Sequence, residues 1–273
     1  MAAGRLKKYL IFAKSGAQTT IAYRGQMALW VIGSVINAVL MGLLWWAVYK
    51  FSPEPEIGGY TFPQMLMYVL LTTIVGEITY SDTMWSITED VHYGFIGMRL
   101  MKPISYRHQL GFTAVGSFFA RFLIIGVPMI LVGTLVSVFG FGLTGIVWYN
   151  ILLFIPACIL SLLMVDAIQF LFGQLAFRTH AMFGVSSMLN IVTQFLSGGL
   201  VPLALFPIWA QNVLYYTPFP TLFSFPVRLF LGQLDWVDMG ISFALSVVWI
   251  LVINLIGQLM YKGSVRKVVV FGG

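Results

Sequence analysis

Residues 27–48 form a run of 22 amino acids without one charged side chain. At about 1.5 Å of helical rise per residue the run spans about 33 Å, enough to cross the hydrocarbon of a bilayer. Five further apolar runs follow, at about 61–79, 112–139, 146–177, 182–205 and 239–260. The expected fold is therefore an all-α integral membrane protein with six transmembrane helices. Composition agrees, because a 273-residue chain that is 59% hydrophobic and 9% charged has too little polar surface to coat a soluble globule.

The net charge of +6 does not point to nucleic acid, because the fifteen Lys and Arg are not gathered into one stripe with interleaved aromatics. They sit mostly between the apolar runs. With both termini inside, five basic residues before the first span, three between residues 80 and 111, Arg178 and three at the C-terminus put twelve of the fifteen on the cytoplasmic side. Lys50 and Arg228 fall outside, and Arg121 falls within the membrane. The expected location is the plasma membrane, multi-pass. Cys158, the one cysteine, lies in an apolar run and reads as a small core residue.

Residues 1–26 read as an interfacial amphipathic helix ahead of a transmembrane domain at 27–273. Leu6, Leu10, Ala13, Ala17 and Ile21 share one helical face, flanked by Arg5, Lys7, Lys8 and Lys14. The apolar stretch 9–13 is too short for a signal-peptide core, so no cleaved signal is expected. The loop with Pro53, Glu54, Pro55 and Glu56 should face outside, and the polar stretch 80–111 the cytoplasm. Gly198, Gly199 and Pro202 break the fifth run. Pro207, Pro218, Pro220 and Pro226 interrupt the segment after it, which suits short re-entrant helices before span six.

No phosphate-cradling G-x-x-x-x-G-K-[ST] occurs, so ATP hydrolysis is not expected on this chain. His92, His108 and His180 lack metal-ligand spacing with one another or with Cys158, and no G-x-S-x-G elbow is present. No catalytic, cofactor or metal residues are assigned. Intramembrane ionisable groups are costly and default to functional candidates, which singles out Glu77, Arg121 and Asp166. All three should lie near the inner ends of their spans. A contact of Arg121 with Asp166 or Glu77 is expected, as a static tether between helices or as a gate.

Between residues 80 and 111, Ile87, Val91, Phe95 and Met98 follow the spacing of a single helical stripe, with Glu89 and Asp90 off it. A short amphipathic helix results, ended at Lys102-Pro103. It would rest on lipid headgroups or dock into a partner's groove, with Gly94 and Gly97 allowing close approach. The segments 87–94 and 100–105, the run Ser197-Gly198-Gly199-Leu200-Val201-Pro202-Leu203 with Phe206-Pro207, residues 226–232 and the ending Tyr261-Lys262-Gly263 together resemble the permeases of ABC-2-type exporters. The likeness is to the six-span subunits encoded apart from their ATPase, and it covers nearly the whole chain. It implies two nucleotide-binding subunits that bind ATP and Mg, and a second permease subunit of the same or a different chain. It also implies that Ile87, Glu89, Asp90, Val91, Gly94, Phe95 and Met98 belong to the coupling helix.

The leading function is thus the membrane subunit of an ATP-driven exporter for a hydrophobic or amphipathic substrate, such as a drug or lipid. A secondary transporter or channel working without an ATPase is the alternative, with Glu77 and Asp166 carrying protons or cations. A membrane-embedded enzyme would need a polar catalytic cluster, for which Glu77, Arg121 and Asp166 lack a nucleophile or ligand set.

Overall fold

The computed structural model describes residues 2–135 and 148–265. The expected end of the third span, the turn at 140–145, the start of the fourth span and the basic pair Arg266 and Lys267 lie outside them. In chain order the helices are α1 (Ala2–Ala22), α2 (Arg24–Phe51), α3 (Phe62–Thr79), α4 (Thr83–His92), α5 (Ile96–Leu100), α6 (Tyr106–Arg121) and α7 (Val127–Leu135). These are followed by α8 (Trp148–Gly173), α9 (Met182–Leu196), α10 (Ile208–Tyr215), α11 (Ser224–Phe230) and α12 (Trp236–Val265). A small antiparallel hairpin, β1 (Glu56–Ile57) and β2 (Tyr60–Thr61), turns through Gly58 and Gly59 at φ +60° and +78°, as a type I′ turn requires. Gln64 in the first turn of α3 accepts a hydrogen bond from the Thr61 N–H at 3.0 Å and closes the helix start.

Among the described residues five helical stretches are long and apolar enough to cross a membrane: Arg24–Phe51, Phe62–His92, Tyr106–Gly133, Tyr149–Phe177 and Trp236–Val265. The fifth expected span is shorter than its apolar run. Helix α9 has 15 residues and stops at Ser197, where Gly198 adopts φ +82°. The main-chain N–H groups of Gly199 and Leu200 fold back onto the Gln194 carbonyl, and the Tyr68 hydroxyl donates to the Gly198 carbonyl at 2.6 Å. A Cβ on Gly198 would lie 2.8 Å from that hydroxyl, so the break is fixed by packing as well as by backbone conformation. Helices α10 and α11, of 8 and 7 residues, are short elements within the proline-rich segment.

The third span begins earlier than its apolar run. Helix α6 starts at Tyr106, six residues before position 112, because Ser105 takes an extended conformation and opens the helix there. It passes into a π turn at Phe122–Gly126. Pro128 lacks an N–H for the Ile124 carbonyl and crowds it, which favours this widening.

Helix α8 is the central post, with Phe154, Ala157, Cys158, Leu162, Met164 and Phe170 buried. Cys158 is a core residue, as expected. Helix α2 is the opposite case, exposing Leu29, Trp30, Ile36, Leu40 and Leu43 and burying Trp45. An apolar helix face left uncovered in this way is stable only against lipid or a partner.

Helix α1 runs alongside α6. A Cβ on Gly116 would sit 1.8 Å from the Ala13 carbonyl oxygen, and one on Gly16 2.1 Å from that of Thr113. Tyr9 stacks on Phe112, with ring centroids 4.9 Å apart. The packed face is therefore Tyr9, Ala13 and Gly16, while Leu10 and Ile21 of the anticipated apolar stripe stay exposed.

Aromatic contacts mark the two ends of the bundle. At one end Tyr49 donates to the Tyr60 carbonyl, Tyr60 donates to Gln233, and Tyr149 packs on Trp236. At the other, Tyr261 packs on Tyr106 and Phe170. Trp236 and Tyr261 lie about 38 Å apart along α12 at the standard rise.

Candidate functional site

Asp166 on α8 is buried to 1% exposure and organises the first polar centre. Its Oδ2 is paired with the Arg107 guanidinium of α6, and its Oδ1 accepts from the Thr83 and Ser81 hydroxyls. Ser81 lies in the break between α3 and α4 and Thr83 opens α4, so one carboxylate ties the break to α8. Arg107 also donates from Nε to Asn254 Oδ1 on α12 at 2.8 Å and lies 4.7 Å over the Phe170 ring. Four chain segments meet at a hub whose charges are matched and hydrogen-bonded, the condition under which a buried ion pair is tolerated.

By hydropathy Arg107 belongs to the polar stretch before the third span; the helix start at Tyr106 draws it inward instead. Arg121 does not meet Asp166 or Glu77 as anticipated. Its guanidinium lies 3.8 Å from Asp82 Oδ2, donates to the Tyr80 carbonyl at 3.0 Å and covers the Tyr80 ring at 4.6 Å. The reason is distance: Arg107 and Arg121 stand at opposite ends of α6, about 21 Å apart at the standard rise, so the carboxylate paired with Arg107 is out of line with Arg121, and the α3–α4 break delivers Asp82 to Arg121 instead.

The second centre is an open cleft of about 550 Å³ between α2, α3, α8 and α9. Glu77 on α3 faces it and accepts a hydrogen bond from Ser34 of α2. Asn37 of α2, Thr72 and Thr73 of α3 and Gln169 of α8 add polar groups. Helix α9 contributes Ser186, Asn190, Thr193 and Gln194, spaced as one helical face, while Met188, Ile191 and Phe195 lie on its exposed side. Trp30, Trp45, Trp85 and Phe223 supply aromatic wall. The volume falls in the range of about 300–1,000 Å³ typical of small-molecule sites. The polar stripe of α9 is not among the residues singled out from the sequence, although its signal, polar side chains at positions 186, 190, 193 and 194, is present there.

The third feature is an elbow rather than a single helix over 87–98. Gly94 at φ +75° ends α4, and α5 starts at Ile96. Ile87 turns inward with 0% exposure and closes on Gly173 of α8, where a Cβ would meet its side chain at 2.6 Å. Asp90 is also buried; it pairs with Arg99 at 3.2 Å and accepts from the Tyr106 hydroxyl at 2.7 Å. Gln109 donates to the carbonyls of Arg99 and Ile104, at 3.0 and 2.8 Å. Val91 is half-buried, Glu89 is exposed, and Tyr93, Phe95, Met98 and Met101 project outward. The apolar stripe is thus divided, with Ile87 holding the elbow to the bundle and Phe95 and Met98 left free on its surface. The fold also brings His92 and His180 to 4.4 Å between ring centroids, which sequence spacing could not foretell. Among the described residues no three His, Cys, Asp or Glu side chains group as a metal site.

A family model described as "ABC-2 family transporter protein" matches residues 29–272, close to the entire chain. The chain belongs to the ABC-2 transporter family. No curated protein matches it significantly. Membership makes it a multi-pass membrane protein of a transport family whose permease subunits are generally non-enzymatic and generally work with an ATPase partner. Among the described residues, the cleft, the hub and the elbow are three places where this ABC-2 chain concentrates polar or exposed groups.

Proposed function

We propose that the chain is the membrane-spanning permease subunit of an ATP-driven exporter in the plasma membrane, moving a hydrophobic or amphipathic substrate out of the cytoplasm. The observation that carries this reading is the cleft, a drug-sized, mixed polar and aromatic space at membrane depth in an ABC-2 chain that has no phosphate-binding motif of its own. ATP and Mg bind to two separate nucleotide-binding subunits, and a second permease, the same or a different chain, completes the pathway. The bare apolar face of α2 suits lipid or that second permease.

The α4–α5 elbow is the coupling element in this reading. Phe95 and Met98, with Tyr93 and Met101 beside them, enter a groove on the ATPase, and Glu89 meets basic residues there. Gly94 and Gly97 have open space at their Cβ positions, which allows close approach. Ile87 and Asp90 pass the push inward, to α8 through Gly173 and to α6 through Arg99 and Tyr106. Replacing both Phe95 and Met98 with Asp should leave permease abundance in membranes unchanged while most of the co-purifying ATPase, or most of the transport, is lost. Normal co-purification together with normal transport would sink the assignment.

Both termini and the elbow face the cytoplasm, and Glu54 and Asp235 face outside. Labelling of single cysteines in intact cells, after removal of Cys158, checks this; reaction of a cysteine at Lys102 with an impermeant reagent from outside contradicts it. One observation favours the secondary-transporter reading: Glu77 makes no ion pair among the described residues, as a proton- or cation-coupling site would require. Transport that persists after loss of the ATPase would decide for that reading.

A further inference from the structure

The cleft contains an electrostatic asymmetry that transport as such does not need. Among its thirty lining residues Glu77 is the one Asp, Glu, Lys, Arg or His. The two arginines at the ends of α6 are already committed. Arg107 is paired with Asp166 and bonded to Asn254, and Arg121 is held by Asp82, the Tyr80 carbonyl and the Tyr80 ring. For Glu77 the described residues supply a neutral hydroxyl, that of Ser34, and no ion pair. A carboxylate at membrane depth without a counter-charge is expensive, and one facing an open cavity can recover that cost when a cation enters.

Aromatic placement points the same way. Trp30, Trp45, Trp85, Tyr68 and Phe223 line the same space, and ring faces attract cations, Trp most strongly. Asn37, Asn190, Thr193 and Gln194 offer carbonyl and hydroxyl oxygens that solvate a cationic head without adding charge. An anionic ligand would find one carboxylate and no basic side chain in this lining. A neutral one would leave Glu77 without a counter-charge.

We propose that the cleft selects a monocationic amphiphile, an organic cation with aromatic or aliphatic bulk, whose charge is read by Glu77 and whose bulk rests on Trp30, Trp45 and Trp85. This rests on the cleft being the substrate path, and it adds the charge class of what travels there.

The test is a matched pair of probes that differ in the sign of one charge: tetraphenylphosphonium and tetraphenylborate. Binding to the full-length chain in nanodiscs of phosphatidylcholine is read by quenching of tryptophan fluorescence, without any ATPase present. Glu77→Gln should raise the Kd for tetraphenylphosphonium at least tenfold and leave that for tetraphenylborate unchanged or lower. Glu77→Asp should retain most of the phosphonium affinity. As a second route that leaves Glu77 in place, Asn37→Lys puts a resident cation into the cleft and should abolish phosphonium binding while admitting the borate. Unchanged phosphonium affinity in Glu77→Gln overturns the proposal, as does an equal loss for both probes, which would indicate a damaged site rather than a charge-reading one. The two readings fail separately. ATP-dependent export by a chain whose cleft ignores the sign of charge removes this inference alone, whereas a phosphonium site in a chain whose transport ignores the ATPase removes the exporter reading alone.

Discussion

Asp166 and Glu77 are both carboxylates on membrane-crossing helices, and the fold treats them in opposite ways. Around Asp166 it assembles Arg107, Ser81, Thr83 and, through Arg107, Asn254, so every charge is answered by the chain itself. Around Glu77 it leaves an open cleft and supplies the hydroxyl of Ser34. The first arrangement locks four segments at one point; the second holds an electrostatic demand that something outside the chain must meet. Polar residues in a membrane protein thus divide by whether the fold completes them, and the incomplete ones are where function should be sought.

The largest effect should come from breaking the complete centre. Arg107→Leu leaves Asp166 buried without a counter-charge, which costs about 3–5 kcal/mol when one partner of a buried pair is removed. Little folded protein should survive detergent extraction, as read by size-exclusion profile and thermal unfolding. The double replacement Arg107→Met with Asp166→Leu should recover much of the loss, because an apolar pair of similar volume removes both desolvation penalties. If Arg107→Leu melts like the wild type, the hub is not holding the bundle and the contrast with the cleft collapses.

A middle-sized effect is expected where α1 meets α6. Gly116→Leu puts a side chain where the Ala13 backbone already sits, and overpacking of this kind costs about 1–3 kcal/mol. The outcome should be local, with faster hydrogen exchange over residues 8–22 and an intact bundle around α8. Exchange protection in α1 that does not change would mean that the two helices are not in tight contact. This interface is a third kind of region, complete by shape rather than by charge.

The fold class could be read from the 22-residue run at 27–48 and its successors, because bilayer thickness dictates the length of a span. The break at Gly198 and the small buried Cys158 were legible for similar local reasons. Pairing was not. Arg107 looked like a loop residue because hydropathy marks where a helix enters the apolar phase, whereas its hydrogen-bonded start at Tyr106 is set by the extended Ser105. The stripe at 87–98 suggested one helix because periodicity is blind to a single glycine at positive φ; Gly94 bends it, sending Ile87 inward and Phe95 outward. Asp90 appeared free for a partner, yet Arg99 and Tyr106, distant in helical register, close on it. Gly16 and Gly116 were invisible as a pair because close approach depends on two segments a hundred residues apart.

The smallest effect on stability should come from Glu77, although this is the residue whose loss changes binding most. Glu77→Gln keeps the shape of the side chain, and its amide can still accept from Ser34, so no buried group is orphaned. The change removes a charge that nothing in the described chain offsets. Stability should therefore stay within about 0.5 kcal/mol of wild type, the usual range for a substitution away from packed or paired groups. For a chain of this size that is about 1–2 °C in Tm. Asp166→Asn, an identical chemical change, removes the negative charge facing Arg107 and should fall much further in the same assay. The two variants differ only in whether the fold had already answered the carboxylate, so their separation in Tm measures that difference directly. Equal losses would mean that Glu77 is as deeply built into the structure as Asp166, and a small, equal shift in both would mean that the hub contributes no more to folding than the cleft does.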